Sequence, residues 1–334
     1  MESLKVVIPM AGLGTRLRPQ TWSKPKQLMS VAGKAILGHV LDMFATLPDP
    51  DAVELINIVG FLGEQIEAYI VENYPQLKSH FITQENPRGQ SHAIYLARQY
   101  LHGPMLMIFP DTLIETDLSF LASETIDAIA WVKPVPDPRR FGVAEMGPDN
   151  TVKRLIEKPV DLSNNLVVVG FYYFREAEQL LSAIEEQMRL DIQLKGEYFL
   201  VDAVNIMLNR GLKMRTEKVD VWLDAGTPDA LLETNLYLLE HGRDNVRNHY
   251  DSGYVIKPPV YIHPTAQVLE SVIGPHVSIG ADCVVQNSII SNSILEDGAQ
   301  VSGVVLEKSL IGRKALIERR PGVINAGDHT VLTL

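Results

Sequence analysis

The sequence predicts an α/β domain built on a mostly parallel sheet, followed by a short C-terminal left-handed parallel β-helix. In the first two-thirds of the chain, bulky apolar runs that are typical of buried strands occur at residues 6–8, 55–59, 105–109 and 128–132. Helical patterns lie between them, at residues 36–46, 64–74 and 91–101. Alternation of this kind gives a parallel sheet that is covered on both faces. Ligands of such sheets bind beyond the carboxyl ends of the strands, where this chain is polar and Gly-rich.

The last 75 residues or so carry a different pattern, in which helical periodicity is lost. Apolar side chains recur every five or six residues, at Ile262, Val268, Ile273, Ile279, Val285, Ile290, Leu295 and Val301. A serine followed by two apolar residues also repeats, beginning at Ser271, Ser288, Ser293 and Ser309. A six-residue period predicts a parallel β-helix, whose coils are stabilised by stacking on one another. The alternative is a β-rich tail without a fixed repeat.

These two patterns divide the chain into an α/β domain at 1–240, a polar linker at 241–259 and the β-helix at 260–334. The formal net charge of -11 argues against a nucleic-acid or anionic-membrane partner, because either would require a basic surface. The single cysteine, Cys283, excludes an intramolecular disulfide framework. No apolar run approaches the roughly 20 residues of a membrane span, and no signal peptide is recognisable. We therefore expect a cytoplasmic protein.

The strongest motif follows the first predicted strand and reads Gly12-Leu13-Gly14-Thr15-Arg16-Leu17-Arg18-Pro19. Glycines at this place let backbone N–H groups approach a phosphate chain, and the cations Arg16 and Lys26 can neutralise it. The spacing fits neither the P-loop nor the dinucleotide fingerprint. A bare Gly-x-Gly would be explained equally well by a tight turn, so the two cations decide in favour of phosphate binding.

With this motif and several others in order, the chain resembles the sugar-1-phosphate nucleotidylyltransferases. The resemblance covers nearly all of the first 240 residues, through the segments at 12–19, 26–27, 84–89, 141–143, 157–159, 196–197 and 222–227, with Asp111 and Asp202. It implies a Rossmann-like nucleotidyltransferase domain that transfers a nucleotidyl group from a nucleoside triphosphate to a sugar 1-phosphate and releases pyrophosphate. A hexapeptide-repeat tail is found on some members of this family.

The resemblance also implies a role for individual residues. Arg16 and Lys26 would be catalytic, and Asp111 and Asp224 would bind Mg²⁺, a cation that prefers oxygen ligands. The nucleotide would contact Ala11, Gly12, Gly14, Thr15, Gln84 and Gly89. The sugar phosphate would contact Gly142, Glu157, Lys158 and Gly170. Asp111 alone could as well be a helix cap or a turn residue, and the second matching motif around Asp224 favours the metal pair.

The choice of substrates depends on Gln84 and Gly89, which match the positions that contact thymine or uracil in pyrimidine-using members of the family. We therefore expect dTTP or UTP as the nucleotide and glucose 1-phosphate as the acceptor. Thr112, Ser30 and the Gln90-Ser91-His92 stretch depart from the common pattern and leave these identities open. His39 and His92 are expected to be structural or to support residues that contact the ligand, without contacting it themselves. Two alternatives remain, a non-catalytic regulatory subunit that binds nucleotide sugars and a bifunctional enzyme with an acyltransferase tail. We also expect a homo-oligomer.

Overall fold

The computed structural model describes residues 3–246 and 253–319. Residues 247–252 of the predicted linker and residues 320–334 of the predicted β-helix lie outside this description. The chain divides into two compact units, the first formed by Met1–Met29 and Lys34–Thr234, the second by Ser30–Gly33 and Asn235–Leu334. We keep the predicted domain boundaries at 240 and 260 as a proposal.

In the α/β part of the chain, strands and α-helices largely alternate up to about residue 100, and strands then follow one another without an α-helix between residues 105 and 174. The strands are β1 (Lys5–Pro9), β2 (Ser30–Val31), β3 (Lys34–Ala35), β4 (Glu54–Val59), β5 (Lys78–Thr83), β6 (Met105–Ile108), β7 (Thr112–Ile114), β8 (Ala128–Pro134), β9 (Gly142–Met146), β10 (Val152–Glu157), β11 (Leu166–Phe174), β12 (Met214–Lys218) and β13 (Trp222–Asp224). The helices are α1 (Ile36–Asp42), α2 (Gly63–Asn73), α3 (Gln90–Leu96), α4 (Ala177–Arg189), α5 (Leu200–Asn209) and α6 (Pro228–Leu238). Among the described residues, no helix has the length and apolarity needed to cross a membrane.

The central sheet has the order β10-β9-β11-β6-β1-β4-β5, with β8 paired to β11 and to β12. Its core is parallel, because β1 pairs in parallel with both β4 and β6, and β4 pairs in parallel with β5. Val6, Val7 and Ile8 of β1 are fully buried, as expected for a strand that is covered on both faces. The predicted α/β fold with a Rossmann-like parallel core is thus confirmed. Beyond β6 the sheet continues with β11, which runs antiparallel to β6, β8 and β9.

An ion cluster lies at the start of the parallel core, where β1 and β4 begin. The Lys5 side chain is only 1% exposed, and its Nζ donates to Glu54 Oε1 at 2.9 Å and to Ser3 Oγ at 2.6 Å. Lys78 Nζ and His80 Nε2 lie 3.0 and 3.3 Å from Glu54 Oε2. The hydrogen bond from Lys5 is the main reason that the pKa of Glu54 falls far below its ordinary value. A buried ammonium in this position depends on the carboxylate beside it.

We expect Glu54→Gln to lower the free energy of unfolding by about 3 kcal/mol at neutral pH, because it leaves the buried Lys5 without its counter-charge. The folded-state pKa of Glu54 is depressed, so its contribution is fully present above the unfolded-state pKa of about 4.5 and is lost as the pH falls through the folded-state pKa. The difference between wild type and variant in urea denaturation should therefore shrink in acid. Lys78→Gln, at an exposed position, is the control and should lower the free energy of unfolding by less than about 1 kcal/mol. Equal losses in both variants would contradict this account.

The described part of the second unit contains twelve further short strands, namely β14 (Val255–Ile256), β15 (Val260–Ile262), β16 (Gln267–Leu269), β17 (Val272–Ile273), β18 (Val277–Ile279), β19 (Val284–Gln286), β20 (Ile289–Ser291), β21 (Ile294–Leu295), β22 (Gln300–Ser302), β23 (Val305–Glu307), β24 (Leu310–Ile311) and β25 (Leu316–Glu318). They form three parallel sheets of four strands each, in the orders β14-β17-β20-β23, β15-β18-β21-β24 and β16-β19-β22-β25. All eight apolar positions of the predicted repeat are buried. The arrangement is that of a left-handed parallel β-helix, as predicted.

The repeated serines connect successive coils of the β-helix. Ser271 Oγ donates to Leu269 O at 2.7 Å and accepts a hydrogen bond from Ser288 N of the next coil at 3.1 Å. Ser288 repeats the pattern one coil later, with Gln286 O as its acceptor at 2.7 Å and Val304 N as its donor at 3.3 Å. These buried hydroxyls use both their donor and acceptor capacity, which explains why the repeated tripeptide begins with serine.

Candidate active site

A cavity of about 390 Å³ lies in the first unit, at the carboxyl ends of strands of the parallel core. Most of the residues singled out in the sequence line it, namely Ala11, Gly12, Arg16, Lys26, Gln84, Gly89, Asp111, Gly142, Glu157, Gly170 and Asp224. Gly14, Thr15 and Lys158 do not belong to the lining. The structure therefore gathers residues from eight separate sequence segments around one space.

The loop after β1 takes its shape from Gly14, which has a left-handed backbone with φ 61°. A Cβ atom there would lie 3.3 Å from Lys26 Cβ and 3.3 Å from Thr21 Cγ2, and Thr21 Oγ1 donates to Gly14 O at 2.8 Å. Gly14 thus lets the loop fold closely over the segment that carries Lys26. A Cβ atom on Gly12, in contrast, would meet no atom within 4 Å.

Two cations and two carboxylates meet at one side of the cavity. Lys26 Nζ donates to Asp111 Oδ2 at 2.6 Å, and an Arg16 guanidinium nitrogen lies 3.9 Å from the same oxygen. Strands β7 and β13 pair antiparallel with Thr112 opposite Asp224. This pairing brings Asp111, the residue before β7, close to Asp224, and Gly226 N donates to Asp224 Oδ1 at 2.9 Å.

The two carboxyl groups differ in protonation behaviour. Burial by itself would raise the pKa of Asp111, but the adjacent Lys26 and the Arg16 guanidinium outweigh it and hold the pKa below its ordinary value. Burial, followed by the negative charge of Asp111, raises the pKa of Asp224. The site thus combines one carboxyl group that its neighbouring cations keep ionised with a second whose ionisation is opposed by burial and by the first.

The loop after β5 forms another wall of the cavity and contains Gln84 and Gly89. Gly89 has φ 99°, and a Cβ atom there would lie 2.5 Å from Tyr198 N and 2.6 Å from Tyr198 O. Tyr198 N donates to Arg88 O at 2.9 Å, so the loop is fastened to this backbone segment. Only glycine fits at position 89 without displacing one of the two segments.

The β9–β10 hairpin and a bend in β11 supply the remaining predicted residues. Gly142 pairs with Glu157 across the hairpin, and burial raises the pKa of Glu157. Gly170, with φ 86°, lies where the pairing of β11 with β8 is interrupted between Val168 and Tyr172. A Cβ atom on Gly170 would lie 2.7 Å from a ring carbon of Phe109, so the bend requires glycine here as well.

Lys158 is placed differently from the other predicted residues. Its Nζ lies 3.6 Å from Glu157 Oε1 and 4.8 Å from the centre of the Phe199 ring. In this conformation the ammonium contacts the aromatic face at the margin of the site. A contact between Lys158 and a sugar phosphate stays a prediction.

Several lining residues were not singled out as site residues in the sequence. Gln27 Oε1 and Trp222 Nε1 are buried and have no hydrogen-bond partner among the residues that the structure describes. Both stand inside motifs that carry the resemblance, Gln27 next to Lys26 and Trp222 two residues before Asp224, so position alone could have indicated them. Tyr172 also lines the cavity but lies in a continuous apolar strand, where no sequence signal separates it from core.

Comparisons with known proteins show the family to which this chain belongs. A family model for nucleotidyl transferases matches residues 5–241, and a model for the GMPPB C-terminal domain matches residues 256–333. A glucose-1-phosphate thymidylyltransferase of Streptomyces griseus is 30% identical over 98% of both chains. The bifunctional protein GlmU of Methanocaldococcus jannaschii is 32% identical over 79% of this chain and 61% of its own length.

Among solved structures, a UDP-glucose pyrophosphorylase complexed with UDP-glucose superposes with a TM-score of 0.60 at 19% identity. The match covers 72% of this chain and 99% of that one, and at this identity it shows the shared fold alone. The family assignment rests on the family model that matches residues 5–241 and on the Streptomyces griseus relative, which aligns over 98% of both chains. This chain belongs to the nucleotidyl transferase family, as one of the sugar-1-phosphate nucleotidylyltransferases.

Proposed function

We propose that this protein transfers a thymidylyl or uridylyl group from dTTP or UTP to a sugar 1-phosphate, with glucose 1-phosphate as the favoured acceptor, and releases pyrophosphate. The observation that carries the proposal is that the cations Arg16 and Lys26, the carboxylates Asp111 and Asp224, and Gln84 all line one cavity. A full-length relative named as a glucose-1-phosphate thymidylyltransferase supports the choice of substrates.

The reaction is an in-line displacement, in which a phosphate oxygen of the sugar 1-phosphate attacks the α-phosphorus and pyrophosphate leaves. The attacking oxygen is already ionised near neutral pH, so the chain need not provide a general base. Arg16 and Lys26 bind the triphosphate and stabilise the charge that develops on the reacting phosphorus. Positioning and charge stabilisation therefore account for catalysis, by the logic that applies to phosphoryl transfer generally.

A divalent cation fits the donor set of this site, and we propose Mg²⁺ held by Asp111 and Asp224. Two neighbouring carboxyl groups are hard oxygen ligands, one of them kept ionised by Lys26 and Arg16. No group of three or more candidate metal-ligating side chains occurs in the described ranges 3–246 and 253–319. This suits Mg²⁺, which is commonly bound by one or two carboxylates together with substrate phosphates and water. When bound, the ion neutralises charge on the phosphate oxygens.

Binding without turnover is the main alternative, and the charged cluster argues against it. A regulatory subunit needs no paired carboxylates at the phosphate-binding loop, yet Asp111 and Asp224 are both present and close to Lys26. Among the residues that the structure describes, nothing assigns an acyltransferase activity to the β-helix. The cytoplasmic location and the homo-oligomer remain predictions from the sequence.

The choice of nucleotide is the direct test of the proposed function. Because an amide at Gln84 and a backbone N–H at Gly89 complement the edge of thymine or uracil, we expect dTTP or UTP to exceed ATP and GTP by at least about tenfold in kcat/KM. That ratio corresponds to about 1.4 kcal/mol, within reach of one or two hydrogen bonds. Pyrophosphate release with glucose 1-phosphate measures it. A purine nucleotide as the best substrate would overturn the assignment of the base.

A further inference from the structure

The side-chain amide of Gln84 is held in one orientation by two hydrogen bonds. Gln84 Nε2 lies 3.0 Å from His92 Nδ1 and 3.3 Å from Gly89 O. A carbonyl oxygen only accepts hydrogen bonds, so the atom that faces Gly89 O must be the NH₂ group of the amide. Gln84 is 6% exposed and lines the cavity. Its two N–H groups are thus directed at His92 and Gly89, and its carbonyl oxygen Oε1 is the group left for a ligand.

The hydrogen bond from Gln84 also fixes the protonation of His92. Since Gln84 Nε2 donates, His92 Nδ1 must accept, which places the ring proton on Nε2 of a neutral imidazole. Burial, together with the positive charge of Arg88, lowers the pKa of His92, so the neutral ring is the form present near pH 7.

His92 is itself held in place through the first turn of α3. Ser91 N donates to Tyr198 O at 3.1 Å, and Ser91 Oγ donates to Phe199 O at 3.2 Å. Gln90 Oε1 accepts a hydrogen bond from Leu200 N at 3.2 Å. These three hydrogen bonds attach the first turn of α3 to residues 198–200, the segment whose Tyr198 backbone lies against Gly89. These contacts therefore fix the position of the His92 imidazole beside Gln84.

We propose that His92 is a positioning residue that sets the base specificity of this enzyme, by holding Gln84 so that it presents only its carbonyl oxygen to the nucleobase. This inference rests on the proposed function. An acceptor at this place pairs with the N3–H group of uracil or thymine. Cytosine carries a lone pair at N3, so it would face the Gln84 oxygen with no proton between them.

Without His92, only the 3.3 Å contact with Gly89 O would hold the Gln84 amide, which could then rotate by half a turn more readily and offer a donor instead. A freely rotating primary amide accommodates either edge, because it carries both a donor and an acceptor. Fixing its orientation leaves an unpaired polar group whenever the wrong base binds, and such groups are the main source of discrimination in polar sites. His92 lies in the Gln90-Ser91-His92 stretch, which departs from the common family pattern.

A matched pair of variants tests the proposal. His92→Asn keeps a hydrogen-bond acceptor near the position of Nδ1. His92→Leu introduces a side chain of nearly the same shape as asparagine that has no acceptor. The measurement is the ratio of kcat/KM for UTP, or dTTP, to that for CTP, with glucose 1-phosphate as acceptor. We expect His92→Leu to lower this ratio about tenfold or more, the value of one hydrogen bond, and His92→Asn to keep it within about threefold of wild type. His92→Phe, which keeps an aromatic ring, replaces the Leu variant if circular dichroism shows that the latter does not fold.

Two results would overturn the role of His92. One is a wild-type UTP-to-CTP ratio of kcat/KM in His92→Leu, which lacks the acceptor. The other is a fall of this ratio in His92→Asn as large as that in His92→Leu, which would mean that His92 acts only through packing. Gln84→Leu separates this proposal from the one on which it rests. If Gln84→Leu removes the discrimination but the His92 variants do not, only the positioning role fails. If Gln84→Leu also keeps the wild-type ratio, the assignment of Gln84 to the base is wrong, and the His92 proposal falls with it.

Discussion

Asp111→Asn and Asp224→Asn should each lower kcat by about 100-fold or more and leave the fold intact. Each substitution removes one negative charge from the pair that we propose as the Mg²⁺ ligands, at nearly constant side-chain volume. Loss of a well-positioned electrostatic contact to a reacting group commonly has an effect of this size. Pyrophosphate release at saturating Mg²⁺, dTTP and glucose 1-phosphate is the measurement.

The two variants distinguish a metal role from a role in positioning Lys26. Asp111 accepts the hydrogen bond from Lys26, so Asp111→Asn alters that contact as well. Asp224→Asn leaves the Lys26–Asp111 contact in place, and a large loss there is attributable to the removed carboxylate itself. Asp51→Asn, at an exposed position in a short 3₁₀ helix, is the control and should retain wild-type rates. Near-normal turnover in Asp224→Asn would rule out the proposed metal pair.

The fold class could be predicted because its signals are local. The apolar run around Val7 and the periodic row from Ile262 to Val301 each reflect a single repeating geometry, and both are buried as expected. The loop after β1 was also recognisable, since its glycines and cations are contiguous in the chain. Strand–helix alternation then places this loop at the carboxyl edge of the sheet without further information.

What the sequence could not predict depends on contacts between distant segments. The short segment Ser30–Gly33 groups with the second unit, where Ser30 N donates to Glu296 Oε1 at 2.8 Å and Ala32 N donates to Asn235 Oδ1 at 2.8 Å. Partners more than 200 residues apart leave no periodic signal. The placement of Lys158 against Phe199 and the hydrogen bond between Gln84 and His92 are likewise rotamer choices, which composition and spacing do not encode.

Gly89→Ala should lower kcat/KM for dTTP or UTP by about 100-fold. The added Cβ would lie 2.5 Å from Tyr198 N and 2.6 Å from Tyr198 O, and neither backbone atom can move without shifting its whole segment. Relief of the overlap must displace Gly89, whose carbonyl oxygen orients Gln84, or the Tyr198 segment that anchors α3. Misplacement of binding groups by about 1 Å is enough for a loss of this order.

A second glycine separates this steric effect from backbone strain. Gly211 has φ 95°, close to the 99° of Gly89, but a Cβ atom there would meet nothing within 4 Å. Gly211→Ala should therefore cost about 1 kcal/mol of stability through its left-handed backbone alone and leave kcat/KM unchanged. Thermal unfolding and steady-state kinetics on both variants make the comparison. If the two alanine variants had the same kcat/KM, the loop at Gly89 could yield without consequence, and its contact with Tyr198 would not determine how the nucleotide is bound.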